Sequence, residues 1–295
     1  MQHLSRRTFM QTAAACAAAA SGVTAASAAP ASDRITLGIC SGPGSAAKLK
    51  ASGFEFIEGS VGGSLKPDKT DEEYAPELER IKTCGLPMIS CNGFFSGQFR
   101  LTGPEEGLRH DAAIKFAVTA CERADKIGLT GIVLGSGGAR NAPEGFDIDK
   151  AREQFIAFCK KLGSAIADRK VVIMLEPLNK KESNFLNTVS EGIEMVDAIN
   201  HPRIKLLADI YHMMKDGEQP DPIRKAGARI VHCHVAELEG RQFPGNKGED
   251  LRPYYRALRD IGYKGGISCE CGWPKENVEE AWQKALAILR EQVFG

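Results

Sequence analysis

Eight short apolar runs recur along the chain, and their regular spacing constrains the fold more than any other feature. They are ITLGIC (35–40), FEFIEG (54–59), PMISC (87–91), GIVLG (131–135), VVIML (171–175), IKLLAD (204–209), RIVHCHV (229–235) and GGISCE (265–270). Helical patterns fill the gaps. DEEYAPELERIKTCG opens on acid and closes on glycine, while HDAAIKFAVTACERADKIG and DKAREQFIAFCKKLGSAIADR repeat apolar residues at the helical period. Asp250 to Ile261 and Glu276 to Val293 behave likewise. Strands apolar on both faces are buried on both sides, the mark of a parallel sheet covered by helices. Eight such βα units in about 250 residues match a closed (β/α)8, or TIM, barrel. A doubly wound open sheet is the rival, but no G-x-G-x-x-G follows the first run. LGSGGAR (134–140) lacks both that spacing and the Walker lysine. No linker or shift of composition interrupts the series. The expectation is an α/β fold, a single TIM barrel domain over residues 29–295.

The first 28 residues read differently. Arg6 and Arg7 are followed by no charge until Asp33, the interior is Ala, Ser, Thr and Gly, and Ala26-Ser27-Ala28 forms an A-x-A cleavage signal. Ser-Arg-Arg-x-Phe-Met is of the twin-arginine type, so export, most simply to the periplasm, is expected. Alanine contributes too little hydrophobicity for a membrane anchor, and the residues before Cys16 make a poor lipidation signal. No stable membrane association is expected once the segment is cleaved. A formal net charge of +0 offers no basic track for nucleic acid. The nine cysteines are scattered singly, several inside apolar runs (Cys40, Cys91, Cys159, Cys233), and read as small buried hydrophobes rather than disulfide partners. Cys269-Glu270-Cys271 has one residue between its thiols, too few for a zinc knuckle.

Five apolar residues lead into Glu176, and a carboxylate behind so oily a run needs a partner, because an unpaired buried charge costs several kcal/mol. In a TIM barrel the strand C-termini form the active face. Glu176 ends the fifth run, Asp209 the sixth and Glu270 the eighth, with His234 near the end of the seventh. In RIVHCHV, period two sets His232 and His234 on the inner face and Val231, Cys233 and Val235 on the outer one. Three oxygen donors and one imidazole suit a single divalent ion, Mn²⁺ foremost, with Co²⁺, Mg²⁺ or Zn²⁺ also admissible. His232 reads as a satisfied barrel-core histidine or as support for a ligand. His110 and His201 read as structural.

At these residues the chain resembles the xylose isomerase-like TIM barrels, the group that includes ketose 3-epimerases and hydroxypyruvate isomerase. Glu176-Pro177-Leu178-Asn179-Lys180-Lys181-Glu182 matches the epimerases' Glu-x-Leu-Asn-x-x-Glu run, and Asp209-Ile210-Tyr211-His212-Met213 matches Asp-x-x-His-Met. His232 to Glu237 matches His-x-His-x-x-Glu, and Glu270 matches the glutamate that ends strand eight. The resemblance implies metal ligands at Glu176, Asp209, His234 and Glu270, and substrate-binding residues at Glu182, His212 and Arg241. Two departures bear on the substrate. Arg241 arrives one residue late, and Cys271-Gly272-Trp273 stands where proline is usual.

The implied activity is that of a divalent-metal-dependent sugar isomerase or epimerase. It would abstract a proton beside a carbonyl through a metal-stabilised enediolate, with Glu176 and Glu270 as catalytic acid and base. The substrate partner would be a sugar or keto-sugar. A dehydratase of the inosose or dehydroshikimate type could use the same metal site and the same first step. An endonuclease IV-like phosphodiesterase needs more histidines than ISCNGFF and VLGSGGAR supply. A non-catalytic sugar-binding barrel would not need every ligand retained. A homo-oligomer is compatible with the sequence.

Overall fold

The computed structural model describes residues 33–295; the expected targeting segment, residues 1–28, lies outside the described residues. Eight strands form the sheet: β1 (Thr36–Cys40), β2 (Phe56–Ser60), β3 (Met88–Asn92), β4 (Gly131–Leu134), β5 (Val172–Leu175), β6 (Ile204–Asp209), β7 (Ile230–Val235) and β8 (Gly266–Cys269). Each pairs in parallel with the next, and β8 returns to β1 through Leu37 and Ile267, so the barrel is closed. All eight fall on the runs expected from the sequence. The helices that cover them are Ala46–Ser52, Asp71–Thr83, His110–Ile127, Ile148–Ala165, Val189–Ile199, Asp221–Ala226, Arg252–Asp260 and Val278–Phe294.

Local chemistry sets the helix ends. Thr70 and Glu73 form a reciprocal capping box before Asp71–Thr83, and the Asp147 and Thr188 side chains cap the helices that follow β4 and β5. Gly128 closes His110–Ile127 at φ 72°, a left-handed conformation that glycine adopts without steric cost. No helix among the described residues is long and apolar enough to cross a membrane.

The outward strand faces, for example Leu37, Ile57, Ile132, Ile173 and Ile267, merge with the helices into one buried core. The inward faces form layers. Lowest is Phe56, whose ring fills the space above two glycines: a Cβ on Gly38 or Gly266 would lie 2.3 or 2.7 Å from it. Val133, Met174 and Leu207 pack as a separate apolar cluster inside the barrel. Above them the interior turns polar, with Glu58, Ser90, His232 and Ser268 all buried.

One inward–outward assignment is corrected. Val231, expected on the outer face, packs against the inner Val133–Met174–Leu207 cluster. The β6–β7 register slips there, pairing Leu206 with Ile230 but Leu207 with His232. The extra residue is a bulge, which turns Val231 inward without moving His232 or His234. The eight cysteines among the described residues are free. Cys91, Cys159 and Cys233 are buried as expected, whereas Cys40 is only half-buried at the end of β1.

Candidate metal centre and active site

Four side chains converge where β5 to β8 end. Glu176 directly follows β5, and its carboxylate occupies the space left by Gly135 at the end of β4, where a Cβ would stand 2.2 Å from Oε2. Asp209 ends β6. Its Oδ1 accepts the His212 backbone N–H at 3.2 Å and so caps the short helix Ile210–Lys215. Its Oδ2 is buried with no hydrogen-bond partner among the described residues. His234 is fully buried; its Nδ1 lies 2.9 Å from Glu176 Oε1, 3.4 Å from Glu270 Oε2 and 4.0 Å from Asp209 Oδ2. Glu270 follows β8 by one residue. One ligating atom from each of the four lies within 4.8 Å of all the others.

Such crowding has an electrostatic consequence. Two carboxylates 4 Å apart repel by about 4 kcal/mol at an effective dielectric of 20, so three of them require a proton or a cation. Burial pushes the Glu176 carboxyl above its ordinary value, against the opposing pull of His234. Burial acts the same way on Glu270, but His234 and Arg241 outweigh it and hold that carboxyl below the ordinary value. Burial disfavours the charged imidazolium of His234, yet Glu58 and Glu270 overcome it and raise the ring well above 6.5. Three oxygens, one of them the unpartnered Asp209 Oδ2, and one imidazole nitrogen fit a divalent cation.

The remaining expected residues surround this cluster. His212 is buried; its Nδ1 accepts the Asn179 backbone N–H at 3.3 Å, which leaves a proton on Nε2, 3.5 Å from Asp209 Oδ2. The Asn179 side-chain amide donates to Glu182 Oε1 at 2.9 Å. The Glu-Pro-Leu-Asn-x-x-Glu turn thus orients Glu182 and His212 through a single asparagine. Arg241 hydrogen-bonds Glu270 Oε2 through Nη2, which lies 3.6 Å from Asp209 Oδ2, while Nη1 lies 3.8 Å from Glu182. Its guanidinium rests 4.7 Å from the Tyr211 ring centre. The loop that carries Arg241 folds around Glu237, which is fully buried and accepts backbone N–H groups from Gly245, Lys247, Gly248 and Glu249. The Cys271-Gly272-Trp273 departure ties into the same loop. Gly272 N–H donates to Arg241 O at 2.7 Å, and Trp273 stacks on Phe243 with centroids 5.2 Å apart.

Several residues of the site escape the sequence reading. Asn92, at the end of β3, donates to Glu270 Oε1 at 2.9 Å. Arg140 is fully buried and donates to the carbonyls of Gly135, Phe185 and Glu176 at 2.6, 3.1 and 3.1 Å, pinning the ends of β4 and β5 together. Burial lowers its guanidinium to about 10. Glu58 of β2 lies 2.9 Å from His234 Nε2. Its signal was present in FEFIEG, a carboxylate embedded in an apolar strand, the same sign that singles out Glu176.

A closed eight-stranded parallel barrel with a polar cluster at its strand C-termini defines the general class. Residues 46–292 match the xylose isomerase-like TIM barrel family, and the chain belongs to it. The D-psicose 3-epimerase of Enterocloster bolteae is 29% identical over 229 residues, covering 76% of this chain and 74% of that protein. The putative hydroxypyruvate isomerase of Homo sapiens is 32% identical over 141 residues, 45% of this chain and 51% of that one. The solved D-psicose 3-epimerase of Clostridium cellulolyticum H10 with D-tagatose superposes with a TM-score of 0.76 at 20% identity, covering 88% and 99% of the two chains.

Proposed function

We propose that this chain is an isomerase-type enzyme, a divalent-metal-dependent sugar epimerase or isomerase that moves a proton on a carbon beside a carbonyl. The observation that carries the reading is the convergence of Glu176, Asp209, His234 and Glu270 within 4.8 Å. Relatives named as ketose 3-epimerases and a hydroxypyruvate isomerase support it.

A bound divalent ion would supply Lewis acidity, stabilising the negative charge that grows on the carbonyl oxygen as the neighbouring C–H loses its proton. Glu176 and Glu270 approach the centre from β5 and β8. One carboxylate removes the proton and the other returns one to the opposite face or to the adjacent carbon. Positioned general acids and bases typically contribute about 10²–10⁴-fold. His212 Nε2–H and the Arg241 guanidinium donate to sugar oxygens, and Glu182 accepts from a hydroxyl. Asn92 holds Glu270 Oε1, so the carboxylate keeps one orientation while it works. On this reading Mn²⁺ is the first ion to test, and the twin-arginine segment delivers the activity to the periplasm.

The test is incubation in D₂O with Mn²⁺ against a panel of ketoses, 3-keto sugars and inososes, followed by metal removal and NMR. Deuterium on a carbon beside the carbonyl of a recovered sugar is the expected result. Loss of water from an inosose would point to the dehydratase instead. A panel recovered without deuterium and unchanged would contradict the proposal.

A further inference from the structure

Glu58 lies beneath the metal cluster, 1% exposed, at the centre of the polar layer. Its Oε1 lies 2.9 Å from His234 Nε2. Its Oε2 accepts from Ser90 Oγ at 2.7 Å and Ser268 Oγ at 2.8 Å, and stands 2.7 Å from His232 Nε2. Both oxygens of this carboxylate are engaged, by four side chains from β3, β7 and β8, one on Oε1 and three around Oε2. A buried carboxylate is too costly, by several kcal/mol, to serve as mere filler.

Imidazole geometry suggests its purpose. His234 turns Nδ1 toward Glu176, Asp209 and Glu270. To ligate through Nδ1, the ring must be neutral with its one proton on Nε2. Glu58 is the hydrogen-bond partner of Nε2 among the described residues, and an ionised carboxylate can only accept. Ser90, Ser268 and His232 engage the other carboxylate oxygen, so Glu58 cannot rotate away from the ring.

We propose that Glu58 is a positioning residue that fixes the tautomer and orientation of His234 and thereby sets the affinity of the site for its ion. The inference rests on reading the four-residue cluster as a metal centre. Glu58 touches neither Glu176 nor Asp209 by hydrogen bond among the described residues, so its effect passes through the histidine. His232 is then a strut, holding Glu58 from below.

Two measurements test this. The first is ¹⁵N NMR of the histidine rings in the wild-type chain loaded with diamagnetic Mg²⁺. The expected His234 has its proton on Nε2 and none on Nδ1; a proton on Nδ1 overturns the proposal whatever any variant does. The second is Mn²⁺ affinity by EPR for wild type, Glu58→Gln and Ser268→Ala. Glu58→Gln should weaken binding by about 10–100-fold, the usual effect of losing a ligand's hydrogen-bond partner. Ser268→Ala, which leaves Glu58 Oε1 on the ring, should weaken it less and in the same direction. A purely structural role would lower Tm while leaving the tautomer and the Mn²⁺ affinity of folded protein unchanged, and that result overturns the proposal. Should Glu58→Gln not fold, the wild-type tautomer and Ser268→Ala still decide. A wild-type chain that takes up no Mn²⁺ overturns the metal reading and this inference with it, whereas metal uptake indifferent to position 58 overturns the inference alone.

Discussion

At the scale of single residues, protons and the proposed cation would compete for the same atoms. His234 has its proton affinity raised because Glu58 and Glu270 outweigh burial. In the metal-free chain such a shift stabilises the fold below the ordinary value of 6.5 and is lost as pH rises through the raised value. A divalent ion needs that nitrogen bare, so its affinity should fall as pH drops, by up to about tenfold per unit for one displaced proton. Metal titrations by calorimetry and metal-free melts between pH 6 and 9 should therefore run in opposite directions. Parallel trends would contradict the placement of His234 at the centre. Glu270→Gln keeps the shape of the side chain but removes a base and a charge. Turnover should drop by at least about 10²-fold with the fold retained, read as kcat beside a circular dichroism melt; undiminished turnover would remove Glu270 from the chemistry. The four convergent residues could be read from the sequence because each is a polar group at or next to the end of an apolar strand. Glu58 carries a related mark, a carboxylate inside the apolar strand β2. Asn92 did not, because an asparagine before glycine at a strand end reads as an ordinary loop residue.

At the scale of elements, two buried charges hold the loops that frame the cluster. Arg140 joins the ends of β4 and β5 through carbonyls of Gly135, Glu176 and Phe185. Arg140→Met would strand these buried acceptors, each costing about 1–3 kcal/mol. A net loss of about 3 kcal/mol, or about 6–12 °C in Tm for a chain of this size, should appear in thermal melts; an unchanged Tm would show that the carbonyls find other partners. Nothing in LGSGGAR announced this, since an arginine in a glycine-rich loop looks solvated until the fold wraps residues 183–187 over it. Glu237 does comparable work after β7, gathering four backbone N–H groups of residues 245–249. Glu237→Ala should release that loop and with it Arg241. Hydrogen exchange should speed at Gly245 and Lys247 to Glu249, and KM should rise more than kcat falls. Protection unchanged at those amides would refute the role given to Glu237. The bulge at Val231 is a third lesson: period two assigns faces correctly only where the register holds, and a slip between Leu206 and Leu207 cannot be seen from one strand alone.

At the scale of the whole molecule, the barrel was legible because parallel strands buried on both faces leave unbroken apolar runs between amphipathic helices. The convergence of Glu176, Asp209, His234 and Glu270 was legible for a related reason, since topology sends every strand C-terminus to one face. The roles of Asn92 and Arg140 were not, because their partners come from distant strands and loops: Glu270 after β8 for Asn92, and Glu176 and Phe185 for Arg140. The proposed export is tested at this scale too. Replacing Arg6 and Arg7 together by lysine should leave the protein in the cytoplasm with its barrel folded, measured by cell fractionation and immunoblot; unchanged periplasmic delivery would dismiss the twin-arginine reading. The central claim is that Glu176, Asp209, His234 and Glu270 share one divalent cation, and anomalous diffraction at the manganese edge from crystals grown with Mn²⁺ tests it most directly. A single strong peak within bonding distance of all four side chains is the expected result. A site without such a peak at saturating Mn²⁺, or a peak held by other residues, would contradict it.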